Sequence, residues 1–442
     1  MDRRRMLRGA AATLGTVALA GAAAACRDLS ASAGPTTRTD RHPTDPPSQA
    51  DPSVPERRSA PGASASPAGA SGAGGTASAG GYVPGPYGPL RPADRYGVAL
   101  PAGFTSRVLA HSRVQVAPTD YIWPDGPCGG GCLPASGGGW IYVVNGGSAL
   151  QAAVSVLRMR ADGSVASAAR VLRAAVQLRA GGVTPWGTWL ACSGSVLGRV
   201  HEVHPDGSRA VQDRPALGRF AHQGAACDPD RHVVYLTEDR DDGCLYRFRP
   251  ARWGDLSRGA LDVLTDDPGP GPGAVRWAPV ADADGFPHAL RRQARDARVF
   301  DSAAGCWYAG GVCYLSTTGD QRLWALRMAA GQLDGGRLTA LHDAPAVSAG
   351  ARPAPIGQLT SSRSGDLFLA EGRPEPVLTL LTPSGAASPF LRLPDHRGSE
   401  ITGPAFSPDG SRLYFSSRRG TTGHDRAGVT FEVTGPFRAS AA

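Results

Sequence analysis

The sequence predicts an all-β protein, and both its composition and its local patterning support that fold class. The chain of 442 residues contains 59 glycines and 38 prolines, whereas only 19% of its residues are charged. Glycine and proline mark turns and interrupt helices, so this composition suits many short strands better than long helices. After the N-terminal region, we find no sustained spacing of apolar residues near the roughly 3.6 residues that an amphipathic helix requires.

A repeated two-strand unit predicts how the strands are arranged. Each copy has an apolar or aromatic strand that ends in a polar or acidic residue, then a glycine-containing turn and a second strand. The clearest copy has a strand at 233–237, the acidic run 238–242, Gly243 and a second strand at 244–248. The first strands of the six copies lie at 140–145, 188–192, 233–237, 312–317, 366–371 and 412–417. Most spacings are close to the roughly 40–50 residues of a propeller blade, so we expect a six-bladed β-propeller around a central channel.

The N-terminus has the features of an export signal. A basic stretch containing Arg3 and Arg4 precedes an uncharged, alanine-rich run at 9–25. This pattern predicts a signal peptide over residues 1–26, and the arginine pair resembles a twin-arginine signal. The three alanines before Cys26 resemble a lipoprotein box without its first leucine. Lipidation of Cys26 and simple cleavage therefore both remain open.

Residues 27–90 predict a disordered linker, since they are mostly Ser, Ala, Pro, Gly and Thr. Such a segment buries too little apolar surface to offset the entropy lost on ordering. It would serve as a tether, or it would simply remain after cleavage. The folded propeller domain is expected over 91–442.

The charge pattern excludes a nucleic-acid partner. All 46 basic residues are arginine, and the net charge of +8 includes those of the leader. No basic helix or alternation of basic and aromatic residues is present. We expect an extracellular or cell-surface monomer, attached to a membrane only if Cys26 carries a lipid.

The cysteines after Cys26 allow several pairings. Cys306 and Cys313 lie on either side of a glycine turn, and Cys128 with Cys132 and Cys227 with Cys244 are further candidates. Sequence alone does not determine connectivity. This arithmetic leaves Cys192 unpaired, either as a buried core thiol or as a metal ligand.

Several strings resemble the PhoX-type alkaline phosphatases. They begin with Thr-Pro-Trp-Gly-Thr-Trp-Leu-Ala-Cys at 184–192, Gly-Arg-Phe-Ala-His at 218–222 and Tyr-Leu-Thr-Glu-Asp at 235–239. Two more are Ser-Glu-Ile-Thr-Gly-Pro-Ala-Phe-Ser-Pro-Asp-Gly at 399–410 and Gly-Val-Thr-Phe-Glu-Val-Thr-Gly-Pro at 428–436. The resemblance extends in order from about Tyr87 to Phe437. It implies a six-bladed propeller that is exported by the twin-arginine route.

The resemblance also implies a phosphomonoesterase with iron and calcium at one mouth of the channel. Calcium prefers carboxylate oxygens, and iron accepts carboxylate and thiolate ligands. The candidate metal ligands that this sequence retains are Asp125, Cys192, Glu238, Glu371 and Glu400.

Other ligand positions implied by the family are replaced in this sequence. The residues found there are Gly146-Gly147, Leu178-Arg179, Ser193-Gly194, Gln223, Ala304 and Gly357-Gln358. Each change removes a charge or a thiolate. One calcium is compatible with the acids that remain, since calcium also accepts carbonyl and water oxygens. A complete iron–calcium cluster is not expected.

Three functions follow from this pattern. The first is a PhoX-type phosphatase with a reduced metal set. The second is a catalytically impaired propeller that binds a small phosphorylated or other anionic ligand, or a protein, at its mouth; Arg179 would bind the anion, because guanidinium pairs bidentately with phosphate. A calcium-dependent lactonase or esterase ranks third, since its motifs are missing.

Overall fold

The computed structural model describes residues 85–147, 152–174, 177–269, 271–329, 331–343, 355–372 and 374–439. The predicted signal peptide, Cys26 and most of the predicted linker lie outside these residues. The described part contains 25 strands and four short 3-10 helices, at Ser136–Gly138, Pro215–Leu217, Leu290–Arg292 and Asp425–Ala427. None of its helices is long and apolar enough to cross a membrane.

The strands are short, and we number them in chain order. The first twelve are β1 (Thr105–His111), β2 (Cys128–Pro134), β3 (Trp140–Gly146), β4 (Ala152–Met159), β5 (Val165–Ala174), β6 (Leu178–Val183), β7 (Trp189–Ser193), β8 (Val200–Val203), β9 (Gln212–Asp213), β10 (His222–Asp228), β11 (Val233–Glu238) and β12 (Leu245–Arg252). The others are β13 (Asp255–Asp266), β14 (Ala274–Pro279), β15 (Ala303–Ala309), β16 (Val312–Thr317), β17 (Arg322–Met328), β18 (Gly336–Asp343), β19 (Ile356–Ser361), β20 (Leu367–Glu371), β21 (Val377–Leu381), β22 (Ala387–Arg392), β23 (Ile401–Phe406), β24 (Arg412–Ser417) and β25 (Val429–Thr434).

These strands form an all-β, propeller-like arrangement of antiparallel sheets, as predicted. Four sheets have four strands each, in the orders β2-β3-β4-β5, β6-β7-β8-β9, β19-β20-β21-β22 and β1-β25-β24-β23. The fifth sheet has nine strands, because β14 pairs with both β13 and β18 and joins two groups of strands. The expectation of six separate sheets is therefore met only in part.

The additional strand β14 and the long connection after it account for most of the long gap before the fourth repeat. The sequence analysis placed a Gly/Pro-rich insertion around 268–273, and in the structure that stretch lies between β13 and β14. After β14, the chain runs through a long connection that includes Leu290–Arg292 before β15 begins.

The two ends of the described chain meet in one sheet. β1 pairs with β25 from Thr105 opposite Thr434 to His111 opposite Val429. Next to this seam, Tyr87 packs edge-on against Phe104 and Phe390, with ring centroids 5.0 and 5.6 Å apart. Tyr87 falls within the range assigned to the linker, so ordered packing begins before residue 91.

Six strands surround the centre and touch one another in a closed circuit: β2, β6, β10, β15, β19 and β23. We call this set the central ring. Glycine permits its close packing. A Cβ at Gly182 would lie 2.1 Å from the Ala225 carbonyl oxygen, and one at Gly403, whose φ is +60°, would lie 2.6 Å from the backbone of Gly129. The cavity between these strands is only about 60 Å³.

None of the three cysteine pairings is formed, and the seven described cysteines are free thiols. Cys128 and Cys132 are both in β2, four residues apart, which separates their Cα atoms by roughly 13 Å in an extended strand. Cys313 lies opposite Tyr308 rather than opposite Cys306. The thiols of Cys306 and Cys313 nevertheless lie close enough to interact, as the sequence spacing indicated, but they are not joined by a disulfide.

Candidate functional site at the ring edge

The start of each central-ring strand pairs with the end of the next strand in the chain. The six opposed pairs are Cys128 with Asn145, Leu178 with Ser193, His222 with Glu238, Ala303 with Thr317, Ile356 with Glu371, and Ile401 with Ser417. Since the pairs are antiparallel, these residues mark the same edge of every unit. We call this set of strand ends the ring edge.

Each central-ring strand also has a register shift within its first few residues. Such bulges bend a strand and redirect its side chains, and they are common beside functional sites. The second positions of the six strands are Gly129, Arg179, Gln223, Ala304, Gly357 and Thr402. Four of these belong to the set of replaced ligand positions. Several of the positions named through the family resemblance therefore lie at the ring edge, and their role as a site stays a prediction.

Asp125 lies in the loop before β2 and is bound by an arginine. The guanidinium of Arg113 donates two hydrogen bonds of 2.8 Å, one to each carboxylate oxygen of Asp125. This fork-to-fork geometry satisfies both oxygens and raises the pKa of Arg113. The pair borders a groove of about 500 Å³ that also includes Arg170.

Glu238 ends β11 and is almost completely buried. One carboxylate oxygen accepts a 2.7 Å hydrogen bond from the Tyr246 hydroxyl, and the other accepts a 3.0 Å bond from Arg291. Burial raises the pKa of Glu238, although both partners oppose that shift. The carboxylate is therefore fully engaged within the protein.

Glu400 immediately precedes β23 and is paired with Arg418, which follows β24. The guanidinium of Arg418 donates a 2.8 Å hydrogen bond to Glu400 and also lies 3.4 Å from Asp425. Burial alone would lower the pKa of Arg418, but the two neighbouring carboxylates raise it. Arg418 stays charged and holds both acids.

Glu371 and Cys192 are the two remaining candidate ligands, and neither is free to bind a metal as it stands. A carboxylate oxygen of Glu371, at the end of β20, lies 3.4 Å from Nε2 of His342. Cys192 is fully buried in β7 among Leu190, Val200 and Leu236. Burial raises the pKa of its thiol, which disfavours the thiolate that a metal would need.

The five retained residues thus lie at or near the ring edge, but the structure does not bring them together. Among the described residues, no group of three or more His, Cys, Asp or Glu side chains is arranged to hold a metal ion. Three of the four carboxylates are bound by arginine. As arranged, these side chains do not fit an iron–calcium cluster, and their assignment as ligands stays a prediction.

Arg179 differs from the other arginines of the ring edge. Its guanidinium is 3.9 Å from Asp239, much farther than the 2.8–3.0 Å of the Arg113, Arg418 and Arg291 pairs. Its Nε is buried and has no hydrogen-bond partner, which is also true of the Nε atoms of Arg291 and Arg418. The side chain lies over Gly194, where a Cβ would be 2.6 Å from Nε. Arg179 therefore has unused hydrogen-bonding capacity.

Other polar groups converge on the same part of the ring edge. The charges of Arg179, Arg418 and Glu400 all reach the buried thiol of Cys128, whose pKa is raised chiefly by burial. The Oγ of Ser193 and the Oε1 of Gln223 are buried without hydrogen-bond partners. These atoms could serve a bound ligand.

Sequence reasoning missed the arginines that neutralise the retained acids. The sequence did contain a signal for Arg418. This residue directly follows β24, just as Asp239 directly follows β11, so the two occupy equivalent positions of the repeat. Arg291 had none, because it comes from the long connection after β14. The contact that carries it to Glu238 exists only in the folded chain.

The fold and this edge define an all-β, propeller-like protein with an arginine-rich ring edge. Residues 193–329 match the family model described as alkaline phosphatase PhoX. This match confirms, over that stretch, the family resemblance that the sequence indicates. No curated protein matches the chain.

Two solved structures are similar to the chain. One is a gluconolactonase, XC5397 from Xanthomonas campestris, at 14% identity and a TM-score of 0.43, covering 82% of this chain and 99% of that one. The other is a protein of unknown function from Bacteroides thetaiotaomicron, at 9% identity and a TM-score of 0.46, covering 75% of this chain and 76% of that one.

Proposed function

We propose that this protein is an exported PhoX-like propeller that binds a small phosphorylated or other anionic ligand at the ring edge, with Arg179 as the principal anion-binding residue. One observation carries the proposal: the counterion of Arg179, Asp239, is 3.9 Å away and beyond hydrogen-bond distance, whereas Arg113, Arg291 and Arg418 each donate a hydrogen bond to a carboxylate. A guanidinium with free donors binds phosphate or carboxylate bidentately.

The architecture behind the proposal is a six-bladed propeller. The nine-stranded sheet supports this count, because it contains two four-strand units, β10–β13 and β15–β18, joined by β14. The six central-ring strands, one from each unit, complete the circuit. In such a fold, the ring edge is the mouth of the channel, and a ligand there would contact several blades at once.

The surroundings of Arg179 favour an incoming anion. Burial raises the pKa of Asp239, although Arg179 and Arg240 oppose that shift. Arg179 and Asp239 are 3.9 Å apart, too far for a hydrogen bond, so a phosphate oxygen could accept hydrogen bonds from Arg179 that Asp239 does not. The other arginines discussed above already donate hydrogen bonds to carboxylates and contribute mainly positive potential.

Phosphomonoester hydrolysis is the second candidate, and the family match over 193–329 favours it. That segment includes Glu238, a retained acid. Hydrolysis through a metal would require Glu238 and Glu400 to exchange their arginine partners for calcium. A single calcium is the metal content we propose for that case.

Calorimetric titration of the full chain, exported by the twin-arginine route, would test the proposal. Inorganic phosphate and p-nitrophenyl phosphate would each be added with and without calcium. We expect phosphate binding that Arg179→Gln weakens at least tenfold and that Arg258→Gln, an exposed arginine of β13, leaves unchanged. Equal binding by both variants would refute the Arg179 site. Calcium-dependent release of p-nitrophenol, lost in Glu238→Gln, would instead support the phosphatase.

A further inference from the structure

A buried chain of two hydroxyls and an imidazole lies beside the ring edge, outside the Arg179 site. Oγ of Ser399 is 2.8 Å from Oγ of Ser417, which is 2.7 Å from Nδ1 of His396. The three residues are each no more than 3% exposed. Nothing in the anion-binding proposal uses them.

A tight turn holds the two ends of this chain in place. The backbone N–H of Ser399 donates to the His396 carbonyl at 3.0 Å, and Gly398, at the third position of the turn, has a φ of +80°. Ser417 comes from the end of β24 and lies between the two. The arrangement is therefore preorganised by a turn and a strand rather than by mobile side chains.

Ser399 faces a small cavity with a cation in its wall. The cavity is about 80 Å³ and is lined by Ser399, Arg419, Glu400, Thr318 and Gly357, among others. The backbone N–H of Arg419 donates a 2.9 Å bond to Oγ of Ser399. This bond orients the oxygen but leaves its own proton free to go to Ser417.

His396 suits the role of proton acceptor. Burial lowers its pKa, against the opposing effect of Asp395, so the imidazole is neutral and Nδ1 has a lone pair to offer in one tautomer. His396 also borders a second groove, of about 520 Å³, on the side of Tyr96 and His111. The hydroxyl chain thus connects the small cavity to that groove.

We propose that Ser399 is a nucleophile that accepts a small acyl group from an activated ester, with Ser417 and His396 as its proton relay. Oγ of Ser399 bonds to the carbonyl carbon, while its proton moves to Ser417 and the Ser417 proton moves to Nδ1 of His396. The bond from the carbonyl carbon to the leaving oxygen breaks, and an aryloxide departs. The proton leaves His396 for solvent, and water later hydrolyses the acyl-serine to the acid. Arg419, which lines the cavity and whose guanidinium also pairs with Asp425 at 3.5 Å, would balance part of the negative charge on the carbonyl oxygen.

The cavity limits the substrate. The cavity of about 80 Å³ is small, which favours a small acyl group such as acetyl over a long acyl chain. The relay takes a proton from Ser399 but does not protonate the leaving group. Esters whose leaving group departs as a stable anion are therefore preferred. The inference does not depend on phosphate binding at Arg179, and Arg179→Gln should leave it intact.

Acetylation of the full chain by p-nitrophenyl acetate, located by peptide mass spectrometry, tests this role. We expect the acetyl group on Ser399 and none there in Ser399→Ala. Loss of a general base slows transfer by a factor of about 100 or more, so His396→Gln should acetylate Ser399 at least that much more slowly. Ser416→Ala is the matched control, since Ser416 is an equally buried serine of β24 bonded to Thr430 and not to a histidine. It should react like the parent protein.

A pair of nearly isosteric variants separates the relay from packing. Ser417→Thr keeps a hydroxyl and should retain acetylation, whereas Ser417→Val fills the same volume without one and should lose it. The proposal fails if Ser399 is not acetylated in the parent protein, if Val and Thr behave alike, or if His396→Gln reacts at the parental rate.

Discussion

Glu238 and Arg291 form a 3.0 Å ion pair between the end of β11 and the long connection that follows β14. Both side chains are mostly buried, at 1% and 15% exposure. Arg291 also lies 2.8 Å from Asp242, in the turn after β11. The pair therefore fastens the connection onto the ring edge and neutralises an acid that would otherwise be free to bind a metal.

Replacing Arg291 should destabilise the protein strongly. Arg291→Met leaves the Glu238 carboxylate buried without its cation, and breaking a buried pair costs about 3–5 kcal/mol. The neighbouring Arg292, whose side chain is 69% exposed and bonded to Asp242, provides the control: Arg292→Met should cost less than about 1 kcal/mol. Urea unfolding measures both. A second variant, Glu238→Gln with Arg291→Met, should recover part of the loss, and equal losses for the two arginine variants would contradict the prediction.

His222 should make the protein sensitive to acid. Burial lowers its pKa from 6.5 to about 3, so the folded protein excludes a proton that the unfolded chain binds. Above pH 6.5, His222 is neutral in both the folded and the unfolded chain, and the free energy of unfolding keeps its full value. As the pH drops from 6.5 toward 3, the free energy of unfolding falls by about 1.4 kcal/mol per pH unit. His222→Gln should remove that slope, whereas replacing the exposed His288 should not. Unfolding free energies measured from pH 8 to pH 5 test this, and parallel curves for parent and His222→Gln would refute it.

Phe390 should be a main support of the seam between the chain ends. Its ring contacts Tyr87, Phe104, Phe368 and Phe437, at centroid distances of 5.0–5.8 Å. Removing a buried phenylalanine costs about 3–5 kcal/mol, so Phe390→Ala should lower the free energy of unfolding by that amount. Phe286→Ala, at a position that is 78% exposed, should change it little. A small effect at Phe390 would show that the seam contributes little stability.

Gly403 should tolerate no side chain. An added Cβ would lie 2.6 Å from the backbone of Gly129, and the residue already has a φ of +60°. Gly137 has a similar φ of +72° but open space around it, so Gly137→Ala measures backbone strain alone, about 1 kcal/mol. Gly403→Ala should cost clearly more, because two backbones must separate. Thermal unfolding of both variants measures this difference. Equal decreases in the melting temperature would show that close packing at the central ring contributes little stability.

Much of the fold was predictable from local pattern. Period-two strands ending in acidic or polar residues, with glycine turns between them, predicted an all-β chain, and the strand at 233–237 was placed within one residue of β11. The same pattern placed Glu238 and Glu371 at strand ends, whereas Arg179 and Glu400 were named only through the resemblance to the PhoX family. The strand prediction succeeds because strand alternation and turn chemistry are local, and because repeated units place equivalent positions at the same end.

The sequence by itself determined the strands and the acidic or polar residues that end several of them; only the tertiary structure decided what each of those residues binds. Arg113 and Arg291 reach their carboxylates from a loop and a long connection whose paths no local pattern predicts. Likewise, β14 joins two units through hydrogen bonds to β18, far along the chain. The reason is physical: periodicity reports which face of a strand is buried, whereas an ion pair depends on the distance between side chains that folding brings together.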